Sequence, residues 1–385
     1  MVQDNRREML TICAAFFFAF LGAGACQPYV VSYLHEGKGL PFGQASLVLS
    51  MVYFTFVVFR FLIGFIIDIV GLHAAKIIGI ATYALFPVII LAGHSLPVWL
   101  AGSVLWGIGA PMLWTSALVQ VMNTSGPGRH ATSAGIVRGT VMAAVLLGSY
   151  GLAFVYARRG YSALFALAAV FGLGAIMAMA CSPRCQVTRE KPSLGKFFEV
   201  MASHEAKAVT VFLVCSGLAY GLLLNGIKAH VEAAHGKYWL ELILPCFSLA
   251  GIVTSFLGGR ICDRVGRWPT FTWGFAIGGT GMLLAWAVPG PGIVMLAMAC
   301  IGVQFAIVPL SAFAWVGDHT TPSDRAAVMG YIFCFRDLGV AVAIQARGAV
   351  GDAATAFLVF ATISLVCAGA AFAGGRLMRR TGYGK

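Results

Sequence analysis

Four ionisable side chains stand where the surrounding sequence is almost wholly apolar: Arg60, Arg138, Arg336 and Asp337. A charged group at the centre of a hydrocarbon layer costs about 2.5–3.5 kcal/mol on insertion scales, so residues of this kind mark functional positions. An arginine in a dry or narrow cavity seeks a carboxylate or phosphate, which its planar fork holds by two parallel hydrogen bonds. The chemistry on offer is anion capture rather than bond breaking. No nucleophile–base set can be assembled from the eight histidines, and His204, His230 and His235 fall at loop edges where solvated side chains are the plain reading. There is no Gly-rich phosphate loop with Lys-Ser/Thr, so ATP-driven work is unsupported. Cysteines such as Cys13, Cys215, Cys300 and Cys367 lie inside apolar runs as small hydrophobes. Cys181 and Cys185 have no histidine nearby and make a poor metal site. No catalytic residue, metal or cofactor is assigned, and the chain is not read as an enzyme.

The elements that must position these charges follow from composition. Of 385 residues, 59% are apolar and only 10% charged, with a mean hydropathy of +0.87. Soluble domains carry about 25% charge, so a soluble enzyme or a nucleic-acid binder is excluded and a polytopic membrane protein is expected. A spanning helix needs about 20 apolar residues, and twelve such runs occur, near 9–34, 44–68, 75–93, 97–121, 131–156, 162–181, 207–229, 238–258, 269–289, 293–316, 327–346 and 354–375. The first is too long for the core of a signal peptide and reads as an uncleaved helix. With the N-terminus in the cytoplasm, seventeen lysines and arginines fall on that side, Arg6, Arg7, Lys76, Arg129 and Arg380 among them. Only Lys38, Arg158, Arg159, Lys237 and Arg347 fall outside. The bias places both termini inside and accounts for most of the net charge of +12.

An internal repeat organises the spans. Gly64-x-x-x-Asp68-x-x-Gly71 follows span 2 and Gly259-x-x-x-Asp263-x-x-Gly266 follows span 8, every position offset by 195 residues. The same offset relates Gly107 to Gly302 and Gly135 to Gly330. A duplicated six-helix unit is therefore expected: residues 1–181 and 207–385, joined by a charged cytoplasmic linker at 182–206. Parallel repeats of this kind place a substrate site near the bilayer midplane between the halves. The glycines permit close helix approach. The two aspartates lie where a carboxylate can accept from the free N–H groups of a neighbouring helix start or pair with arginine.

Gly259-Arg-Ile-Cys-Asp263-Arg-Val-Gly266-Arg267 resembles the signature Gly-x-x-x-Asp-Arg-x-Gly-Arg-Arg of the major facilitator superfamily. With the twelve spans, the linker and the repeat, the resemblance covers nearly the whole chain. It implies an all-α membrane protein of twelve transmembrane helices in two pseudo-symmetric six-helix bundles. It also implies that Gly64, Asp68, Gly71, Gly259, Asp263, Arg264, Gly266 and Arg267 form a conformational latch holding the outward-facing state; a static loop brace is the alternative. The first copy departs from the signature, with Leu72 and His73 where basic residues are usual. Spans 1, 4, 7 and 10 line the path in this superfamily, which makes Gln27, Tyr29, Trp114, Thr115, Gln120, Tyr220, Asn225 and Gln304 cavity candidates. Each serves equally well as interhelical glue.

At the repeat offset Arg60 matches Ser255, Arg138 matches Phe333 and Arg336 matches Val141. Scaffold positions repeat and these cations do not, which favours a substrate role. The competing readings are an Arg60–Asp337 salt bridge between spans 2 and 11 and snorkelling of Arg138 towards water. Gly330-Tyr-Ile-Phe-Cys-Phe-Arg336 resembles the span-11 segment of oxalate–formate and related monocarboxylate carriers, whose second cation stands where this chain has Ser255. The expected function is a secondary carrier for a small organic anion, with Arg336, Arg138 and Arg60 supplying attraction and Asp337 or Glu241 carrying a coupling proton. Its partners would be the substrate, protons or a counter-anion and the lipid bilayer of a bacterial cytoplasmic membrane. A monomer suffices, because one chain holds both halves. The alternative is an efflux carrier for drugs or lipophilic metabolites. Drug–proton exchangers, however, carry an arginine where this chain has Ser103 and a Gly-Pro pair where it has Gly148-Ser149. A non-transporting receptor on a carrier scaffold would usually add a soluble domain.

Overall fold

A computed structural model of the chain describes residues 2–126, 128–183, 194–222, 237–288, 290–346 and 353–380. Among these residues the structure is almost entirely helical. The first span is a single helical rod, α1 (Val2–Ala19) and α2 (Ala25–Ser32), interrupted by wide π turns at Phe20–Gly24 and Tyr33–Gly37. Then follow α3 (Phe42–Val70), α4 (Leu72–Ala92), α5 (Leu96–Thr124), α6 (His130–Ala180), α7 (Leu194–Ala202) and α8 (His204–Leu222). The chain continues through α9 (Lys237–Val265), α10 (Arg267–Ala287), α11 (Pro291–His319), α12 (Arg325–Ala346) and α13 (Ala353–Arg380).

The 51 residues of α6 would make an unbroken helix of about 77 Å, far longer than the roughly 30 Å of a hydrocarbon core. It breaks at Gly160, whose φ of 74° only glycine adopts without strain. Divided there, the described residues hold twelve long helical segments at the twelve apolar runs, and nine of the helices are long and apolar enough by composition to cross a membrane. Within the charged linker, α7 is a short amphipathic helix that composition did not single out.

The residues fall into two compact units. One comprises Met1–Ser125, Thr140–Phe197 and Thr321–Tyr331; the other comprises Gly126–Gly139, Phe198–Thr320 and Ile332–Lys385. In the first, α3 and α4 flank α5; in the second, α9 and α10 flank α11 in the same way. The glycine pairs explain how. A Cβ on Gly107 would stand 2.6 Å from the carbonyl oxygen of Val52, and one on Gly302 would stand 2.3 Å from that of Phe247. Val52 and Phe247 are themselves related by the repeat offset. Gly135 against the carbonyl of Ser255 and Gly330 against that of Arg60 form a second related pair of contacts. In a membrane, where lipid is as apolar as leucine, backbone approach of this kind supplies much of the helix association.

Candidate functional site

The site begins with small residues that let helices meet. In the second unit, Gly217 of α8 lies so close to α12 that a Cβ would stand 2.0 Å from the carbonyl oxygen of Arg336. Gly339 of α12 meets the carbonyl of Val214 in return. Three residues beyond Gly217 on the same helix face is Tyr220, and the Arg336 guanidinium lies 5.9 Å from its ring centroid. Gly135 and Gly139 bring the start of α6 against Ser255 and Phe256 of α9. Arg138 lies between them in sequence, and its Nη2 donates to the carbonyl oxygen of Phe305 on α11 at 3.2 Å.

Phe305 is where these elements converge. The guanidinium carbon of Arg138 lies 5.3 Å from its ring centroid and that of Arg336 lies 5.1 Å from it. Two cations from distant parts of the sequence therefore stand against one ring, separated by no more than the sum of those distances. Tyr220 stacks on Phe305 at 4.3 Å and Phe247 tilts against it at 5.3 Å. Arg138 and Arg336 are both more than nine-tenths buried. The negative ring faces offset part of the cost of holding two cations in a dry place, at about 0.5–2 kcal/mol per contact. Asp337 adds one carboxylate, 3.4 Å from Nη1 of Arg336. Two guanidiniums, one carboxylate and an aromatic wall thus meet within the second unit.

Each of the other expected site residues has its own surroundings. Gln304 is buried and donates to Ser364 of α13 at 3.2 Å, so it braces α11 against α13. In the first unit Arg60 is buried with its guanidinium 5.1 Å from the Phe56 ring. Gln27 accepts from the Tyr53 hydroxyl at 3.2 Å, and Tyr29 tilts against Tyr156 at 5.7 Å. Trp114 meets Phe16 and Phe20 edge-on, at 5.0 and 5.3 Å. Gln120 is fully buried beside Glu8. Asn225 and the side chain of Glu241 lie outside the described residues.

Two groups escaped the sequence reading. Phe305 carries no distinguishing signal among 28 phenylalanines. Glu8 is buried near Lys76, itself fully buried with Nζ donating to Ser182 at 3.3 Å. The sequence did not single out Glu8, which stands directly after Arg6 and Arg7, one residue before the first apolar run.

The two turn motifs differ. Asp263 accepts from the N–H groups of Ala131 and Thr132, at 3.2 and 2.8 Å, and from the Thr132 hydroxyl at 2.6 Å. Its partner within the motif is Arg267, whose Nη1 stands 2.9 Å away while its Nε reaches Asp318 at 2.8 Å. Gly259 permits this approach, because a Cβ there would fall 2.6 Å from the Ala131 carbonyl oxygen. Gly64 takes the same position against Ala327 of α12. Asp68, however, is exposed, makes no hydrogen bond or ion pair among the described residues, and stands near enough to Asp324 for like charges to repel. Gly71 and Gly266, with φ of 88° and 99°, turn the chain from one helix into the next in both copies. Arg264 is exposed at the end of α9.

A family model described as Major Facilitator Superfamily matches residues 12–344. The chain is 25% identical over 162 residues to an uncharacterised MFS-type transporter of Salmonella typhimurium, covering 40% of this chain and 41% of that protein. It is 28% identical over 143 residues to the puromycin resistance protein pur8 of Streptomyces alboniger, covering 37% and 28%. An uncharacterised MFS-type transporter of Burkholderia mallei is 22% identical over 360 residues, covering 90% and 86%. The chain thus spans less than half the length of the first two relatives and most of the third. Among solved structures, the human organic anion transporter MFSD10 aligns with a TM-score of 0.77 at 13% identity, covering 95% of this chain and 99% of that one. The transporter FucP in its outward conformation aligns with a TM-score of 0.74 at 14% identity, covering 94% and 98%. At these identities the solved structures speak for the fold alone.

Proposed function

The chain belongs to the Major Facilitator Superfamily, an integral multi-pass membrane transporter, and from that premise we propose that it is a secondary carrier moving a small organic anion. The observation that carries this reading is the pair of buried guanidiniums, Arg138 and Arg336, seated against the one ring of Phe305. A carrier needs a site that attracts its passenger and lets it go. A guanidinium is charged at any ordinary pH, and its planar fork matches a carboxylate's two oxygens.

In this scheme the halves at 1–181 and 207–385, joined by 182–206, rock to expose the site to each side in turn. Asp337 supplies the coupling step. Ionised, it competes with the passenger for Arg336 from 3.4 Å; protonated, it releases that guanidinium to the anion. Proton and anion therefore travel together. The excess of basic residues supports both termini in the cytoplasm of a bacterial cell, and the grip of Asp263 on the start of α6 latches one conformation. A single chain forms the path.

Uptake of radiolabelled carboxylates into proteoliposomes, with and without a pH gradient, tests the reading. Arg336→Ala should abolish uptake, Arg336→Lys should retain a small fraction, and Asp337→Asn should leave uptake indifferent to the gradient. Carboxylate uptake unchanged in Arg336→Ala would remove the anion site. A second reading, export of lipophilic compounds, draws on the aromatic wall of Tyr220, Phe247 and Phe305 and on the likeness to a puromycin resistance protein. It predicts export of a drug panel that carboxylates do not compete with.

A further inference from the structure

The second unit carries a groove that the transport site does not use. It lies between α9 and α10, has a volume of about 410 Å³, and is floored by Val303 and Ile307 of α11. Its α9 wall is the stripe Val253, Leu257, Ile261 and Val265, each one turn beyond the last, and Trp273 of α10 faces them. These wall residues are half or more exposed, so the groove opens outward from the helices of its own unit. The floor depends on a glycine: a Cβ on Gly274 would stand 2.4 Å from Cγ2 of Ile307, so only its absence lets Ile307 tuck beneath α10.

The length of the groove identifies its occupant's body. From Val253 to Arg264 is about 16 Å at a helical rise of 1.5 Å per residue, close to half of the roughly 30 Å hydrocarbon core. That is the depth of one leaflet, and the length of one acyl chain. The charge identifies the head. Arg260 and Arg264 continue the face that bears Val253 and Leu257, at the i, i+4, i+7 and i+11 spacing of a single helical stripe. Both are exposed, and neither makes an ion pair or side-chain hydrogen bond among the described residues. The start of α10 at Arg267, which has no side-chain cap, lies at the same end. We propose that this groove seats one acyl chain of an anionic phospholipid, whose phosphate is held by Arg260 and Arg264 in the leaflet facing the basic helix ends.

Each arginine near a membrane surface favours an anionic over a zwitterionic headgroup by roughly fivefold, so two give about thirtyfold. Native mass spectrometry of the full chain in detergent, titrated with phosphatidylglycerol or phosphatidylcholine, reads this directly. One phosphatidylglycerol per chain should be retained at about thirtyfold lower concentration than phosphatidylcholine. The double variant Arg260→Gln/Arg264→Gln should lose that preference while still binding both lipids weakly. Val253→Trp, at an exposed position on the groove wall, should fill the groove and remove tight binding of either lipid. Equal affinity for the two lipids in the unaltered chain would overturn the proposal. So would a preference that survives loss of both arginines, or tight binding that survives Val253→Trp.

Discussion

At the end of α9, Asp263 holds two backbone N–H groups, a hydroxyl and an arginine; at the end of α3, Asp68 holds none of these among the described residues. The backbones around them correspond, with glycine at positive φ closing both turns and with Gly259 and Gly64 packed on the related residues Thr132 and Ala327. The side chains have diverged. At the repeat offset Arg267 becomes Leu72, so the partner within the motif is gone. Thr132 becomes Ala327, which removes the hydroxyl, and Arg129 becomes Asp324, which puts a like charge beside Asp68. Asp324 accepts from the Thr321 hydroxyl at 2.6 Å and occupies the helix start that Asp68 would otherwise reach. The first unit braces the same region differently: Arg325 donates to Asn123 at 2.5 Å, and Asn123 is the repeat counterpart of Asp318, which Arg267 grips in the second unit. A duplicated backbone has kept its geometry while the ionic clasp has passed to one copy.

The contrast breaks most visibly through Asp263→Ala, which leaves the N–H groups of Ala131 and Thr132 and the Thr132 hydroxyl without their acceptor and takes from the half-buried Arg267 one of its two carboxylates. Each donor left without its acceptor costs about 1–3 kcal/mol, so the two N–H groups together cost about 2–6 kcal/mol, and thermal melting of the purified protein should show a corresponding drop; an unmoved melting point would dissolve the distinction between the copies. Arg267→Leu, which makes the second copy like the first, should cost about 1.5–3 kcal/mol, the value of hydrogen bonds to a charged group, read in the same melt. A smaller and opposite effect is expected from Leu72→Arg with Asp324→Asn. The pair restores a cation four residues from Asp68 and removes the repulsion while keeping a capping side chain. A gain of about 0.3–1 kcal/mol follows for an exposed ion pair of this kind, and it should vanish when Asp68→Asn is added. Smallest of all, Asp68→Asn alone should alter stability by less than about 0.5 kcal/mol. A large loss there would mean that Asp68 grips a partner as Asp263 does.

Much of the fold was open to a reader of the sequence, because hydrocarbon permits so few solutions. Each apolar run has to be a helix to satisfy its own backbone, and the 195-residue offset marked the related turns before any coordinate was known. Other features carried no such signature. The π turns that widen the first span near Gly24 do not alter its hydropathy, and α7 lies in a stretch whose charge marks it only as outside the membrane. The candidate site divides in the same manner. Arg138 and Arg336 stood out because a cation in hydrocarbon is costly wherever it lies. Spacing alone could not give Gln304 its partner Ser364 on α13, and nothing in the sequence singled out Glu8.

Hydropathy and periodicity are local sums, so the chain alone determined which segments cross, which residues in them are anomalous, and where the repeat falls. Which anomalies meet is a question of helix rotation and crossing, set by backbone contacts at Gly135, Gly217 and Gly339 between segments far apart in sequence. Only the tertiary structure could decide that both arginines come to rest on Phe305, because a contact of that kind leaves no mark on the composition or spacing of either segment.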